Sequence, residues 1–124
     1  MIDFQNSPLF KLKPIPLEKG LEKVKELLVE NEQIIFAFKT IRDVVVVTDK
    51  RLITANVKGV TGKRVDYSTL PFSKIQAFSV ETAGSFDLDC ELVLWFANLG
   101  SVRLEIVGDF DIKAFSKVIG KYIL

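Results

Sequence analysis

Residues 42–53 read Arg-Asp-Val-Val-Val-Val-Thr-Asp-Lys-Arg-Leu-Ile, and the fold class turns on this stretch. Val44 to Val47 are four consecutive β-branched residues, stiff at χ1, and they favour extended backbone. Both alternating faces of the run are apolar, which suits a strand covered on each side or wrapped into a barrel. Thr48-Asp49-Lys50-Arg51 interrupts the run, and Leu52-Ile53 opens a second extended one. The stretch is therefore predicted to be a β-hairpin at the centre of a small antiparallel protein.

Strand signals recur on either side at short intervals. Upstream, in Gln33 to Phe38, Ile34, Phe36 and Phe38 share one face and Ile35 and Ala37 the other. Downstream, Leu52 to Val57 completes the hairpin, and Lys58 to Lys63 is a loop with two glycines. Val65, Tyr67 and Thr69 then alternate with Arg64, Asp66 and Ser68, up to a corner at Pro71 to Lys74. Ile75 to Thr82 is the fifth strand, Leu92 to Ala97 the sixth and Val102 to Val107 the seventh. Trp95, between Leu94 and Phe96, is expected in the core. Phe86 to Asp89 forms an acidic loop.

A helix is predicted at each end. Leu17, Leu21, Val24 and Leu28 recur at helical spacing over residues 17–31, with Leu27 widening the stripe. The opposite face mixes Glu18, Glu22 and Glu26 with Lys19, Lys23 and Lys25, which argues against a basic membrane-surface helix. Gly20 weakens this helix by about 1 kcal/mol relative to alanine. At the other end Asp109 is the expected N-cap, with Asp111 in the first turn and Ile112, Phe115, Ile119 and Tyr122 as the buried stripe. Residues 1–16 form an N-terminal arm before a single domain at 17–124. Pro8, Pro14 and Pro16 discourage a central strand there, while Phe4, Leu9 and Phe10 argue that part of the arm packs on the body.

Composition narrows the functions. Seventeen Lys and Arg against 16 Asp and Glu give a net charge of +1, so no basic surface calls for nucleic acid. A single cysteine, Cys90, cannot build a disulfide framework, and no basic region with a long apolar run opens the chain. The expectation is a cytoplasmic protein, with membrane association as the alternative. No run approaches the roughly 18 apolar residues of a membrane span. Histidine is absent, which removes the usual acid–base residue and the commonest metal ligand. Cys90 has no partner for nucleophilic work and is read as buried filler.

Seven antiparallel strands followed by one amphipathic helix suit a partly open barrel of two crossing sheets, with the helix plugging one end. That is the pleckstrin-homology arrangement. The chain also resembles the bacterial pleckstrin-homology-like domain family in particular residues. These are Arg42-Asp43, Thr48-Asp49-Lys50-Arg51-Leu52, Gly62-Lys63, Tyr67, Pro71 with Ile75, Val80-Glu81-Thr82-Ala83-Gly84, Phe86-Asp87 and Glu91-Leu92. The resemblance implies a two-sheet barrel with a C-terminal capping helix, no catalytic residues, and self-association into homo-oligomeric rings. It brings no ligand, and no cofactor is expected.

In such a fold the loops joining the first and second strands, the third and fourth, and the sixth and seventh lie at one end. Lys39, Arg42, Lys58, Lys63 and Arg64, with Arg103 as an outlying member, would then converge. Cations around a glycine-containing loop are suited to phosphate. Asp87, Asp89 and Glu91 lack the spacing and glycine of an EF-hand loop, so no metal site is expected. Asp43, Asp49 and Arg51 are read as turn and register residues. The functional expectation is a non-enzymatic interaction and assembly module that pairs with itself. The alternative is a binder of anionic lipid headgroups, or of another phosphate-bearing ligand, at the basic loop end.

Overall fold

The computed structural model describes residues 9–84, 89–108 and 110–124. Among these residues the protein is mainly β, with eight strands and two α-helices. The strands are β1 (Leu9–Pro14), β2 (Ile34–Lys39), β3 (Val44–Thr48), β4 (Arg51–Lys58), β5 (Arg64–Pro71), β6 (Ile75–Glu81), β7 (Cys90–Phe96) and β8 (Gly100–Ile106). Helix α1 (Leu17–Val24) precedes β2, and α2 (Ile112–Ile123) follows β8. The chain divides into two compact units. One is built on Pro14–Pro71, the other on Phe72–Leu124 together with β1 up to Lys13.

The Pro14–Pro71 unit is an antiparallel sheet in the order β2-β3-β4-β5. Val45, Val46 and Val47 are completely buried, as a strand apolar on both faces requires. Val46, with Ala37 and Ile53, forms the face covered by Val24 of α1. The helix is shorter than the 17–31 expected, giving way to a 3-10 turn at Lys25–Leu27. Beyond the 3-10 turn Leu28 is extended, and Arg51 Nη2 donates to the Leu27 carbonyl at 2.7 Å. It is also rotated from the predicted stripe, for Leu17 is 45% and Leu21 42% exposed, whereas Gly20 and Val24 are buried. Gly20 sets this rotation. A Cβ there would stand 2.6 Å from Ala37 Cβ, so only glycine lets the helix backbone lie against β2.

Strand β5 departs further from its sequence pattern. Val65 and Tyr67 remain 37% and 43% exposed, while Ser68 is buried. Ser68 pairs directly across from Thr54, itself completely buried. Among the described residues neither hydroxyl has a hydrogen-bond partner. The alternation therefore leaves Val65 and Tyr67 on the more exposed face and puts Ser68 on the buried one with Leu70.

In the second unit β6, β7 and β8 form an antiparallel meander, and β1 joins β8 in parallel from Leu9↔Arg103 to Leu12↔Ile106. The arm thus supplies an eighth strand beyond the seven expected. Pro14 tolerates this because it is the last residue of β1, where its missing N–H breaks no interior ladder bond. Leu12 is fully buried. Leu92, Leu94, Leu104, Ile106 and Phe115 form part of the core. Trp95 alternates away from them and is 40% exposed, contrary to the expected core position.

The cap of α2 is Asp111, whose Oδ1 accepts from Ala114 N–H at 3.0 Å. The predicted cap, Asp109, lies outside the described residues. Phe110, just before the cap, meets Phe115 edge-on with ring centroids 5.5 Å apart, forming a hydrophobic staple. Ile112, Phe115 and Ile119 are buried as predicted. Tyr122 instead stays 37% exposed, and Gly120 takes the fourth buried place, where an added Cβ would stand 3.7 Å from Phe78.

Candidate functional site

Two loops meet at one end of the Pro14–Pro71 sheet. Residues 40–43 join β2 to β3, and residues 59–63 join β4 to β5. The first loop closes on itself. Thr40 N–H donates to the Asp43 carbonyl at 2.9 Å, and Asp43 N–H donates to Thr40 Oγ1 at 3.0 Å. Asp43 then ties the loop to β4, accepting from Val57 N–H and from Asn56 Nδ2, both at 2.9 Å. Asp43 is thus a register residue, as its place in the sequence suggests. Arg42 crosses to the second loop, where its Nη2 donates to the Gly59 carbonyl. Gly59 and Gly62, at φ 75° and 70°, adopt the left-handed backbone that bends this second loop.

The five predicted cations share this end, and Lys39, Arg42, Lys58, Lys63 and Arg64 are all exposed. Lys58 and Arg64 pair directly across β4 and β5. Alternation puts them on the sheet face opposite α1, whereas Lys39 falls on the α1 face with Ala37. Among the described residues, no salt bridge engages Lys39, Lys58, Lys63 or Arg64. Arg103 belongs to the other unit, where its Nε lies 3.2 Å from Glu91 Oε1.

Two residues here carry no charge and were not singled out in the sequence. Ile41 and Val60, at the tips of the two loops, are 102% and 103% exposed. Their signal was legible in retrospect. Ile41 stands in a turn next to Thr40 and Arg42, and Val60 lies within the glycine-flanked segment 59–62, positions where polar residues usually sit.

The opposite end of the same strands is built differently. In the Thr48 to Arg51 turn, Thr48 Oγ1 accepts from the backbone N–H groups of Lys50 and Arg51, both at 3.0 Å. The same hydroxyl donates to Glu32 Oε2 at 2.6 Å. Arg51 grips Glu32 with Nε at 2.9 Å and Nη2 at 3.0 Å, and its Nη1 donates to Thr69 Oγ1 at 2.9 Å. Val29 N–H completes the set at 3.0 Å from Glu32 Oε1. Asp49 Oδ1 accepts from Gln33 N–H at 3.0 Å. The Glu32 side chain is fully buried. Burial pushes its pKa up. The hydrogen bonds from Arg51, Thr48 and Val29, with the Arg51 charge, outweigh burial and bring it from an ordinary 4.5 to about 2. Asp49 and Arg51 are therefore turn residues, as expected; Glu32, the buried partner of Arg51, carries no pattern that marks it in the sequence.

Other candidates lead elsewhere. A shallow groove of about 210 Å³ is lined by Glu22, Lys23, Lys25, Glu26, Leu27 and Tyr67, whose mixed charges favour neither sign of ligand. In the acidic stretch, Asp87 lies outside the described residues. Asp89 accepts from Gly108 N–H at 3.3 Å, and Glu91 pairs with Arg103. Cys90 is buried, with its Sγ 3.8 Å from the Ile106 carbonyl, in agreement with a filler role. No described helix is long and apolar enough to cross a membrane.

Comparison with known proteins places this geometry. The profile described as "Bacterial PH domain" matches residues 3–123. The uncharacterized protein YjqA of Bacillus subtilis is 43% identical over 100 residues, covering 79% of this chain and 80% of its own. A crystal structure of a DUF1696 family protein with a pleckstrin-homology domain from Shewanella loihica superposes with a TM-score of 0.78 at 36% identity, covering 92% of this chain and 98% of that one. A pleckstrin homology domain from Shewanella amazonensis gives a TM-score of 0.65 at 39% identity, covering 89% and 90%. The profile spans nearly the whole chain and both structures superpose over most of it, so the protein belongs to the bacterial pleckstrin-homology domain family.

Proposed function

We propose that the protein is a non-enzymatic interaction and assembly module whose main partner is a second copy of itself. The observation that carries this reading is β5. Among the described residues of its own unit it pairs only with β4, and exposed Val65 and Tyr67 stand on it. The outer strand of a sheet can extend its ladder with a strand of another chain. The chemistry at hand also speaks against catalysis. The chain has no histidine, and burial, with Asp89 nearby, pushes the Cys90 thiol pKa up and keeps it protonated. Light scattering over a range of concentrations tests the reading. The expected result is a particle larger than the 14.0 kDa monomer. A mass that stays at the monomer value at every concentration refutes self-association.

A second reading rests on the loop end, where exposed cations that form no salt bridge among the described residues suit a phosphate-bearing ligand, whether free or on an anionic lipid headgroup. In that reading the module works in the cytoplasm and reaches the membrane surface through residues 39–43 and 58–64.

A further inference from the structure

The loop end holds more than charge. Ile41 and Val60 are more exposed than the same residues in an extended peptide, so neither is covered by its neighbours. Scattered exposed aliphatics are ordinary on a protein surface. These two are not scattered. The Arg42 bond to the Gly59 carbonyl links the loop of Ile41 to the loop of Val60, and Gly59 directly precedes Val60. Asp43 anchors the first loop on Asn56 and Val57, three residues before Val60 at the nearer. Two aliphatic side chains are thereby held at the projecting tips of one end by a bonded framework.

The surroundings complete the pattern. Residues 39–43 and 58–66 carry five cations, Lys39, Arg42, Lys58, Lys63 and Arg64, against the two half-buried carboxylates Asp43 and Asp66. Asp43 is already occupied by Asn56 and Val57 N–H. The field at the tips is therefore positive although the whole chain is nearly neutral at +1. Aliphatic tips in a ring of lysine and arginine match the chemistry of an anionic bilayer. The apolar groups enter the acyl boundary, and the cations lie at the level of the phosphates, their alkyl stems on the apolar side. A water-soluble phosphate engages only the second of these features, and so leaves the exposed aliphatics unexplained.

We propose that the paired tips Ile41 and Val60 insert into the interface of an anionic lipid bilayer while Lys39, Lys58, Lys63 and Arg64 hold the surrounding headgroups. The proposal rests on the reading of the loop end as an anion site and adds the bilayer as its source. It also assigns the aliphatic tips a role distinct from that of the cations.

The test uses the full chain in sedimentation with phosphatidylcholine vesicles and with vesicles containing about one third phosphatidylglycerol. The expected result is binding to the anionic vesicles above the neutral ones. Ile41→Ser with Val60→Ser lowers that binding roughly tenfold or more, without changing the thermal melt, because neither side chain packs in the fold. Separately, Val60→Trp in a Trp95→Phe background gives blue-shifted emission on anionic vesicles and quenching by lipids brominated in their acyl chains. Retention of soluble inorganic phosphate is measured in parallel. Anionic-vesicle binding with neither the serine effect nor tip quenching overturns insertion and leaves the anion reading standing. Binding of inorganic phosphate with no binding to either vesicle does the same. Binding to neither phosphate nor vesicles removes both.

Discussion

The two ends of the Pro14–Pro71 sheet carry similar residues and use them in opposite ways. At the β3–β4 turn, Arg51 and Glu32 are drawn inward, and Thr48, Thr69 and the Leu27 carbonyl take up the remaining hydrogen-bonding capacity. At the other end Arg42 and Asp43 brace the loops, and four further cations remain in water. Burial makes the difference. A buried charge must find every partner it needs, so its position is set by the fold. An exposed charge has no such obligation and stays available for a ligand. Charges that resemble one another in the sequence therefore divide into buried structural partners at one end and solvent-exposed groups at the other.

The comparison can be broken most severely at Glu32. Glu32→Gln keeps the shape but leaves the Arg51 guanidinium without its counter-charge, and it should lower the unfolding free energy by about 3–5 kcal/mol in urea titration. The same contrast has a pH signature. The folded pKa of Glu32 is depressed, so its contribution is fully present above the unfolded value of 4.5 and is lost as pH falls through about 2. The wild type should therefore lose stability over that acid window more steeply than Glu32→Gln. Parallel acid limbs for the two proteins would mean that the carboxylate is solvated and the ends are alike.

At the loop end the largest effect on folding belongs to Asp43, whose carboxylate accepts two hydrogen bonds from β4. Asp43→Ala should cost about 1–3 kcal/mol, because the Val57 N–H loses its partner. A cost equal to that of Glu32→Gln would place both ends in the same class.

The smallest folding effect is expected where the binding effect is greatest. Lys63→Ala with Arg64→Ala should move stability by no more than about 0.5 kcal/mol. Binding to anionic vesicles should weaken by about 2 kcal/mol, near thirtyfold, at roughly 1 kcal/mol for each cation near an anionic surface. Lys19→Ala with Lys23→Ala, on α1, is the control and should do much less. A melt shifted by several kcal/mol in the Lys63 and Arg64 variant would show that these cations support the fold and are not free for a ligand.

Strand and turn chemistry made most of the architecture legible in the amino-acid order. The β-branched run at Val44 to Val47 forces extended backbone, the Thr48 to Arg51 interruption forces a turn, and period-2 alternation marks the strands that follow. Those signals act between near neighbours along the chain, so they are present before anything folds. The presence of a C-terminal helix and its buried Ile112, Phe115 and Ile119 follow for the same reason. The candidate cations were legible as residue types near loops.

The rest depended on what approaches from far along the chain. The rotation of α1 hangs on Gly20 meeting Ala37, 17 positions away, and a helical stripe cannot announce such a contact. Glu32 looks like any surface glutamate until Arg51 and Thr48 close over it. The inward Ser68 and outward Val65 and Tyr67 invert the pattern of β5, because its pairing with β4 sets which face is covered regardless of polarity. Ile41 and Val60 became a pair only when Arg42 joined their loops. Local preference selects the elements, since it is a property of a few adjacent residues. Burial and charge pairing select the site, since they are properties of neighbours that only the folded chain brings together.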